Sequence, residues 1–378
     1  GQDIQGTGLR IADDTARRLR LPLREAETLK FLVHKHLVMS HLAFWRDTSD
    51  DQLVVRFAVD VGSPEVLDML YVLTAADFAA VGPAVWNSWK AEVVTDLYQR
   101  AMQHLAGDSP AANSAERLER QRSAVRKCFA GQPDAKNFAR QIDSLPYAYA
   151  ASSPPARIAA ELRDLASLGP GDVHAGGRYL PESHTLEFVV GTHENVSPGV
   201  FHKLTGALAS QGLRILSAEI NTLADGMVLD RFYVSDPDYA DEPPPERVAQ
   251  VTRALTRALQ TPHGSTPSFR QVWRSAASRE RAAFNQLPTR VLIDNNSSHR
   301  FTIIDVFASD RMGLLFTIAR TLFEMDLSVS VAKIGTYLDQ VVDVFYVTGQ
   351  DGRKITEEHR LQQIIARLLE SIDGMGSD

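Results

Sequence analysis

The chain has 378 residues, 44% of them hydrophobic, which is enough for packed cores and, by length, for two to four domains. A net charge of −7 offers no electrostatic footprint for nucleic acid, and the single cysteine, Cys128, excludes an internal disulfide and a zinc finger and fits a reducing cytoplasm. No signal-peptide pattern opens at Gly1, and Asp77 and Pro83 interrupt the best apolar run before it reaches membrane-spanning length, so no membrane partner is expected.

Residues up to about 145 read as helical. Ala12, Ala16 and Leu19, then Leu29, Leu32 and Val33, are spaced for helix faces, and Pro22 and the polar run at 47–51 punctuate them. Three histidines cluster in His34-Lys35-His36-Leu37-Val38-Met39-Ser40-His41. Neutral imidazole is the commonest metal ligand at neutral pH. Asp77 lies in an apolar helical stretch, where an acid needs a reason. His with Asp suits a hard or borderline divalent ion. The alternative is that the histidines face solvent and Asp77 caps or pairs locally.

Breaks follow at residues 107–110 and at Ser152-Ser153-Pro154-Pro155. Tyr179-Leu180 and residues 186–190 read as a hairpin. A strand-turn-helix-strand-strand pattern comes next, with a proline connector at Glu242-Pro243-Pro244-Pro245-Glu246 before its second helix. After a joining segment (261–268 and the charged run 274–281) the pattern returns. Residues 301–307 alternate as a strand, and residues 310–313 form a turn. Leu315, Ile318, Ala319 and Leu322 have helical spacing, and two strands follow at 327–332 and 341–347. Thr356 is placed to cap a last amphipathic helix carrying Leu361, Ile364, Ile365, Leu368 and Ile372.

The second pattern is a copy of the first at an offset of 114 residues. Gly199-Val200-Phe201 recurs as Gly313-Leu314-Leu315, Leu204 and Leu208 as Ile318 and Leu322, and Leu213 as Leu327. Asp230-Arg231-Phe232-Tyr233-Val234 recurs, one residue out of step, as Asp343-Val344-Phe345-Tyr346-Val347. The order β-α-β-β-α, closed by one more strand, is the ferredoxin-like pattern. A glycine before each first helix suits positive φ, and the helix behind it points free N–H groups and a positive dipole end out of the turn, where a carboxylate is stabilised. Alternatively each glycine serves the turn geometry alone, and the repeats only dock through Leu204, Leu208, Ile318 and Leu322.

Asp310-Arg311-Met312-Gly313-Leu314-Leu315 resembles the signature turn of ACT domains, small regulatory modules that pair side by side and bind amino acids at the joint. The resemblance implies ligand contacts at Asp310, Arg311, Gly313 and Leu314. The first copy, Glu194-Asn195-Val196-Ser197-Pro198-Gly199, is about two residues longer and lacks the Asp-Arg pair. Its counterparts are Asn195, Pro198 and Gly199, and the two sites are not equivalent.

His36, Met39-Ser40-His41, Arg46-Asp47, Ala76-Asp77 and Val81-Gly82-Pro83-Ala84-Val85-Trp86-Asn87-Ser88-Trp89-Lys90 fall in an order similar to the later half of the HD-type phosphohydrolase domain of bifunctional PII uridylyltransferase/uridylyl-removing enzymes. In that family two tandem ACT domains follow. The resemblance implies a multi-domain fold: an all-α HD-type domain, incomplete at its N-terminus, at 1–145; a linker and entry hairpin at 146–183; and two α+β ferredoxin-like ACT domains at 184–262 and 299–376, joined by a connector at 263–298. It implies His36, His41 and Asp77 as ligands of a divalent metal, Mg or Mn, with Lys90 as a phosphate contact. It also implies the PII signalling protein as partner and glutamine as effector. The nucleotidyltransferase domain and the His-Asp pair of that family are absent, and the chain starts with Gly, as a fragment or truncated gene does. Uridylyl removal by these residues alone is therefore expected to be impaired. The alternative is a non-catalytic, amino-acid-sensing ACT protein with a helical scaffold. An HD-ACT hydrolase of guanosine tetraphosphate fits less well, because such enzymes place a synthetase-like domain before a single ACT domain.

Overall fold

The computed structural model describes residues 2–48, 50–81, 88–105, 114–131, 138–146, 149–150, 153–169, 171–193, 196, 199–239, 241–261, 288–309, 311, 313–337 and 340–376. Its contacts divide it into two compact units, 1–111 and 112–378. Among the described residues no helix is long and apolar enough to cross a membrane.

The first unit is helical, as the sequence predicts: α1 (Gln2–Leu19), α2 (Leu23–Lys35), α3 (Val38–Trp45), α4 (Asp51–Val61), α5 (Pro64–Val81) and α6 (Ser88–Leu105). Pro22 stands at the N-cap of α2. Asp50 caps α4 by accepting the Gln52 N–H at 3.0 Å, and Gly62 ends that helix at φ 83°. Met39, Val54, Leu67, Leu70, Val94 and Leu97 are fully buried in its core. Ala12 and Ala16 are buried as expected, but Leu19, the last residue of α1, is 65% exposed.

The second unit starts with α7 (Ser114–Cys128), α8 (Ala139–Asp143) and α9 (Pro155–Ala166). These pack together through Val125, Phe129, Ile142, Leu145, Ile158 and Leu162, and that cluster includes Leu223 and Leu229 from the sheet region. The division therefore lies near residue 111 and not near 145: the apolar faces of α7 to α9 belong to the sheet-bearing unit.

Eight antiparallel strands follow in one sheet: β1 (Val173–Leu180), β2 (Thr185–His193), β3 (Arg214–Thr222), β4 (Met227–Ser235), β5 (Arg290–Asp294), β6 (Thr302–Ser309), β7 (Leu327–Tyr337) and β8 (Gln340–Gly349). Their order is β1-β2-β4-β3-β7-β8-β6-β5. Four helices complete the two halves: α10 (Val200–Ser210) and α11 (Pro245–Gln260) in the first, α12 (Leu314–Glu324) and α13 (Glu358–Asp373) in the second. The predicted hairpin is the β1–β2 pair, with Tyr179 opposite Leu186. Two expectations change. The additional strand of each half precedes the β-α-β-β-α run instead of closing it: β1 and β5 pair with β2 and β6 at the two edges. The residue that caps α13 is Glu357, one beyond Thr356, and its side chain makes no cap bond.

The halves meet where β3 pairs with β7. Ala218 lies opposite Ala332, its own counterpart in the repeat, so a pseudo-twofold axis passes through that pair. Leu204, Leu208, Ile318 and Leu322 are all fully buried, in one cluster spanning both halves.

Candidate functional site

The two turns preceding α10 and α12 end alike. Gly199 (φ 74°, ψ 40°) and Gly313 (φ 77°, ψ 4°) are left-handed N-caps, the conformation for which the sequence reserves glycine there. Gly199 accepts the Lys203 N–H at 3.3 Å, and Gly313 accepts the Thr317 N–H at 2.9 Å. Each turn is also tied to the far end of its half's second helix. The Lys203 ammonium donates to the Thr261 carbonyl at 2.9 Å, and burial holds its pKa below the usual lysine range. The Arg311 guanidinium donates to the Ile372 carbonyl at 3.3 Å. A cation at a helix C-terminus is favoured by the dipole. Arg311, expected as a ligand contact, thus holds the turn onto α13. Leu314, also expected as a contact, is buried, and its N–H donates to the Arg311 carbonyl at 3.1 Å. Asn195, Pro198 and Asp310 lie outside the described residues.

Over the first turn the halves interlock. The His202 ring lies so close to Gly199 that a Cβ there would meet Cε1 at 2.1 Å. The same ring faces Phe323 at 5.1 Å and Phe316 at 6.0 Å, both on α12. Phe316 is the repeat counterpart of His202, so the pseudo-symmetry is broken at the joint.

The opposite face of the first half carries a charge cluster that the sequence did not announce. Arg231 on β4 is 1% exposed. It donates to Glu219 at 3.2 Å, to Ser153 at 3.0 Å and to Glu161 on α9 at 3.1 Å, with Glu187 at 3.5 Å. Arg157 and Arg178 reach Glu187 at 2.7 and 2.5 Å. Burial raises the pKa of Glu187, but these two arginines outweigh it and leave the carboxyl below its ordinary value. Tyr149 donates to Glu161 and lies beneath the Arg231 guanidinium. Three arginines therefore meet three glutamates, and α9 is fastened to the sheet.

In the helical unit, α3, α5 and α6 converge on an aromatic pair, Phe44 and Phe78, with ring centroids 5.4 Å apart. The Lys90 ammonium stands 5.7 Å from both rings, and burial lowers its pKa. His41 precedes Phe44 by one helical turn and Asp77 adjoins Phe78; both are exposed. His36 is half-buried, with Nδ1 2.8 Å from the Val33 carbonyl of its own helix. Among the described residues no three His, Cys, Asp or Glu side chains are gathered to hold a metal ion. His36, His41 and Asp77 as placed do not fit a three-ligand centre. Residues 82–87 of the Gly-Pro-Trp stretch lie outside the described residues.

Residues 290–373 match the family "ACR9-like, ACT-like domain". Bifunctional uridylyltransferase/uridylyl-removing enzymes are similar along nearly the whole chain. The one from Azospirillum brasilense is 35% identical over 98% of this chain and 40% of its own length, the one from Zymomonas mobilis 34% over 97% and 39%, and that from Rhodospirillum rubrum 32% over 96% and 39%. The chain thus spans about two fifths of the curated relatives it matches, their C-terminal part.

Proposed function

We propose that this chain is the C-terminal regulatory portion of a PII uridylyltransferase/uridylyl-removing enzyme, and that it senses glutamine through a pair of ACT domains formed by its two repeats. The observation that carries this reading is the duplicated turn. Two left-handed glycines, 114 residues apart, each open a helix whose first N–H groups suit a ligand carboxylate, in halves joined about a pseudo-twofold axis. The relatives' printed names supply the activity, and their similarity over nearly all of this chain supports the assignment. Uridylylated PII is then the protein partner.

Uridylyl removal by these residues alone is impaired on this reading. A catalytic metal needs a near-complete ligand set, and His36, His41 and Asp77 fall short of one. The Lys90 ammonium, half-buried over two rings, supports the fold of α3, α5 and α6 more directly than it supports a phosphate. Two measurements test the reading. Calorimetry of the folded chain with millimolar glutamine should give binding heat; no heat leaves the paired halves as a structural or partner-binding element. Release of UMP from uridylylated PII with Mn²⁺ or Mg²⁺ should be negligible; sustained turnover, abolished by His41→Ala, would refute the impaired site.

A further inference from the structure

Asp230 is a buried acid of the first half that the fold leaves at odds with its surroundings. It lies on β4 between Val190 of β2 and Ile220 of β3 and is fully buried. Its parity along the strand matches Phe232 and Val234, whose side chains join the core with Leu204, Leu208, Leu255 and Leu259. Among the described residues neither carboxyl oxygen has a hydrogen-bond partner. The Asn221 amide lies near enough to favour the charged form slightly, yet burial dominates and pushes the pKa up to about 8. An acid in such a place needs a compensating group or stays neutral.

Its position locates that group. Phe201, in the first turn of α10, stacks on Phe232 with centroids 6.2 Å apart. Strand β4 and helix α10 both start at the end of the sheet where β2 finishes, His193 pairing with Met227. Two residues back along β4, about 7 Å, Asp230 therefore lies toward the end of the sheet at which α10 begins. The same strand position in the second half holds another buried acid, Asp343, 1% exposed.

We infer that Asp230 is the ammonium-binding residue of an α-amino-acid site whose carboxylate subsite is the N-terminus of α10. The pairing follows from the chemistry of the ligand class. An α-amino acid carries opposite charges a few bonds apart. The helix start offers N–H groups and a positive dipole end to one, and the buried carboxylate offers the other a strong partner. A carboxylate loses its desolvation penalty when an ammonium arrives, so the site discriminates against molecules that bring an acid alone. The other groups around it do not take that role. In the first turn of α10, His202 packs on Gly199, Phe316 and Phe323, and Lys203 bonds Thr261. On α11, Leu255 and Leu259 are buried, whereas Arg253 and Arg257 are exposed. This inference rests on the amino-acid-sensing reading above and names the residue that reads the amino group.

The test compares L-glutamine with glutaric acid monoamide, which keeps the carboxylate and the amide but lacks the ammonium, by calorimetry on the full chain. Because a second site would mask the effect, the same pair is also measured in an Asp343→Asn background. Asp230→Asn, a neutral isostere, should weaken glutamine about tenfold to a hundredfold and leave the monoamide unchanged. Wild-type protein should also release most of a proton per glutamine bound at pH 7, read from buffers of different ionisation enthalpy, because the acid must ionise to accept the ammonium. Unchanged glutamine affinity in the variant, or equal weakening of both ligands, overturns the assignment while leaving the sensing reading intact. No binding of glutamine by wild-type protein overturns both. If the variant does not fold, the wild-type proton count decides: binding without proton release refutes the role.

Discussion

Replacing Arg231 with methionine is the sharpest probe of how the helices preceding the sheet are held. The guanidinium is 1% exposed, as is Glu187, and the Glu161 and Glu219 side chains are 11% and 22% exposed. Methionine fills much of the volume but takes the guanidinium away from three carboxylates, of which Glu161 and Glu187 keep Arg157 and Arg178. Breaking a buried ion cluster by removing one partner costs about 3–5 kcal/mol, because a buried charge is left uncompensated. The loss should concentrate in β2, β3, β4 and α9, which carry Arg231 and the three glutamates bound to it. A single unfolding free energy is ill-defined for a chain of two compact units. The assay is therefore amide hydrogen exchange, resolved by segment, at pH 7. Protection in β2, β3, β4 and α9 should fall by the equivalent of that loss, while α1 to α6 keep theirs. Arg231→Lys, which keeps the charge but not the fork, should lose less. Protection within about 1 kcal/mol of wild type in the methionine variant, below the range for a broken buried pair, would mean that the cluster does not clamp α9 to the sheet.

Four further outcomes are expected. Acid should loosen the same segment: the carboxyl of Glu187 titrates below its ordinary value in the folded state, so its contribution is present above the unfolded pKa and is lost as pH falls through the folded one. Asp230 has the opposite sign. Its folded pKa is raised, so the protection of β2 to β4 against hydrogen exchange should decline as pH rises from about 4 to about 8, and Asp230→Asn should flatten that slope when the same segments are compared at fixed pH values. Gly199→Ala should cost roughly 1–2 kcal/mol for the left-handed backbone, plus the collision with His202. Adding His202→Ala should recover only the second part, and a double-mutant cycle showing no coupling would refute the contact. Equilibrium dialysis should find no tight Mn²⁺ site that depends on His41; tight binding abolished by His41→Ala would restore the metal reading of the helical unit.

Much of the sheet was legible because the chain states it twice. The helices after Gly199 and Gly313 start and end at the same offset, and the β1–β2 hairpin follows from alternation. The added strand of the second half was missed because β5, five residues with Val291 buried and Leu292 half-exposed, sits at a sheet edge, where periodicity is weakest. The boundary near 145 failed because an amphipathic helix advertises an apolar face without naming what covers it. Arg231 reads as a solvent-facing residue until α9 is laid over the strand. Asp230 did carry a signal. It shares parity with Phe232 and Val234, and Asp343 repeats it, so an acid on the apolar face was visible in the motif that ends each copy. The His36, His41 and Asp77 grouping rested on order along the chain, which does not fix whether side chains converge.

The strand pair at the pseudo-twofold axis bears on which partners the halves accept. Around Ala218 and Ala332, Ser217 faces Lys333 and Glu219 faces Val331. Glu219 and Lys333 are counterparts in the repeat, so equivalent positions carry opposite charges. Two copies of the first half joined this way would flank the axis with two glutamates, and two copies of the second half with two lysines. Only a first half beside a second half places one of each. Glu219 is already paired with Arg231 of its own half, so the charge pattern at the seam distinguishes the halves chiefly through Lys333, and covalent linkage supplies the unlike partner at an effective concentration that dilution does not change.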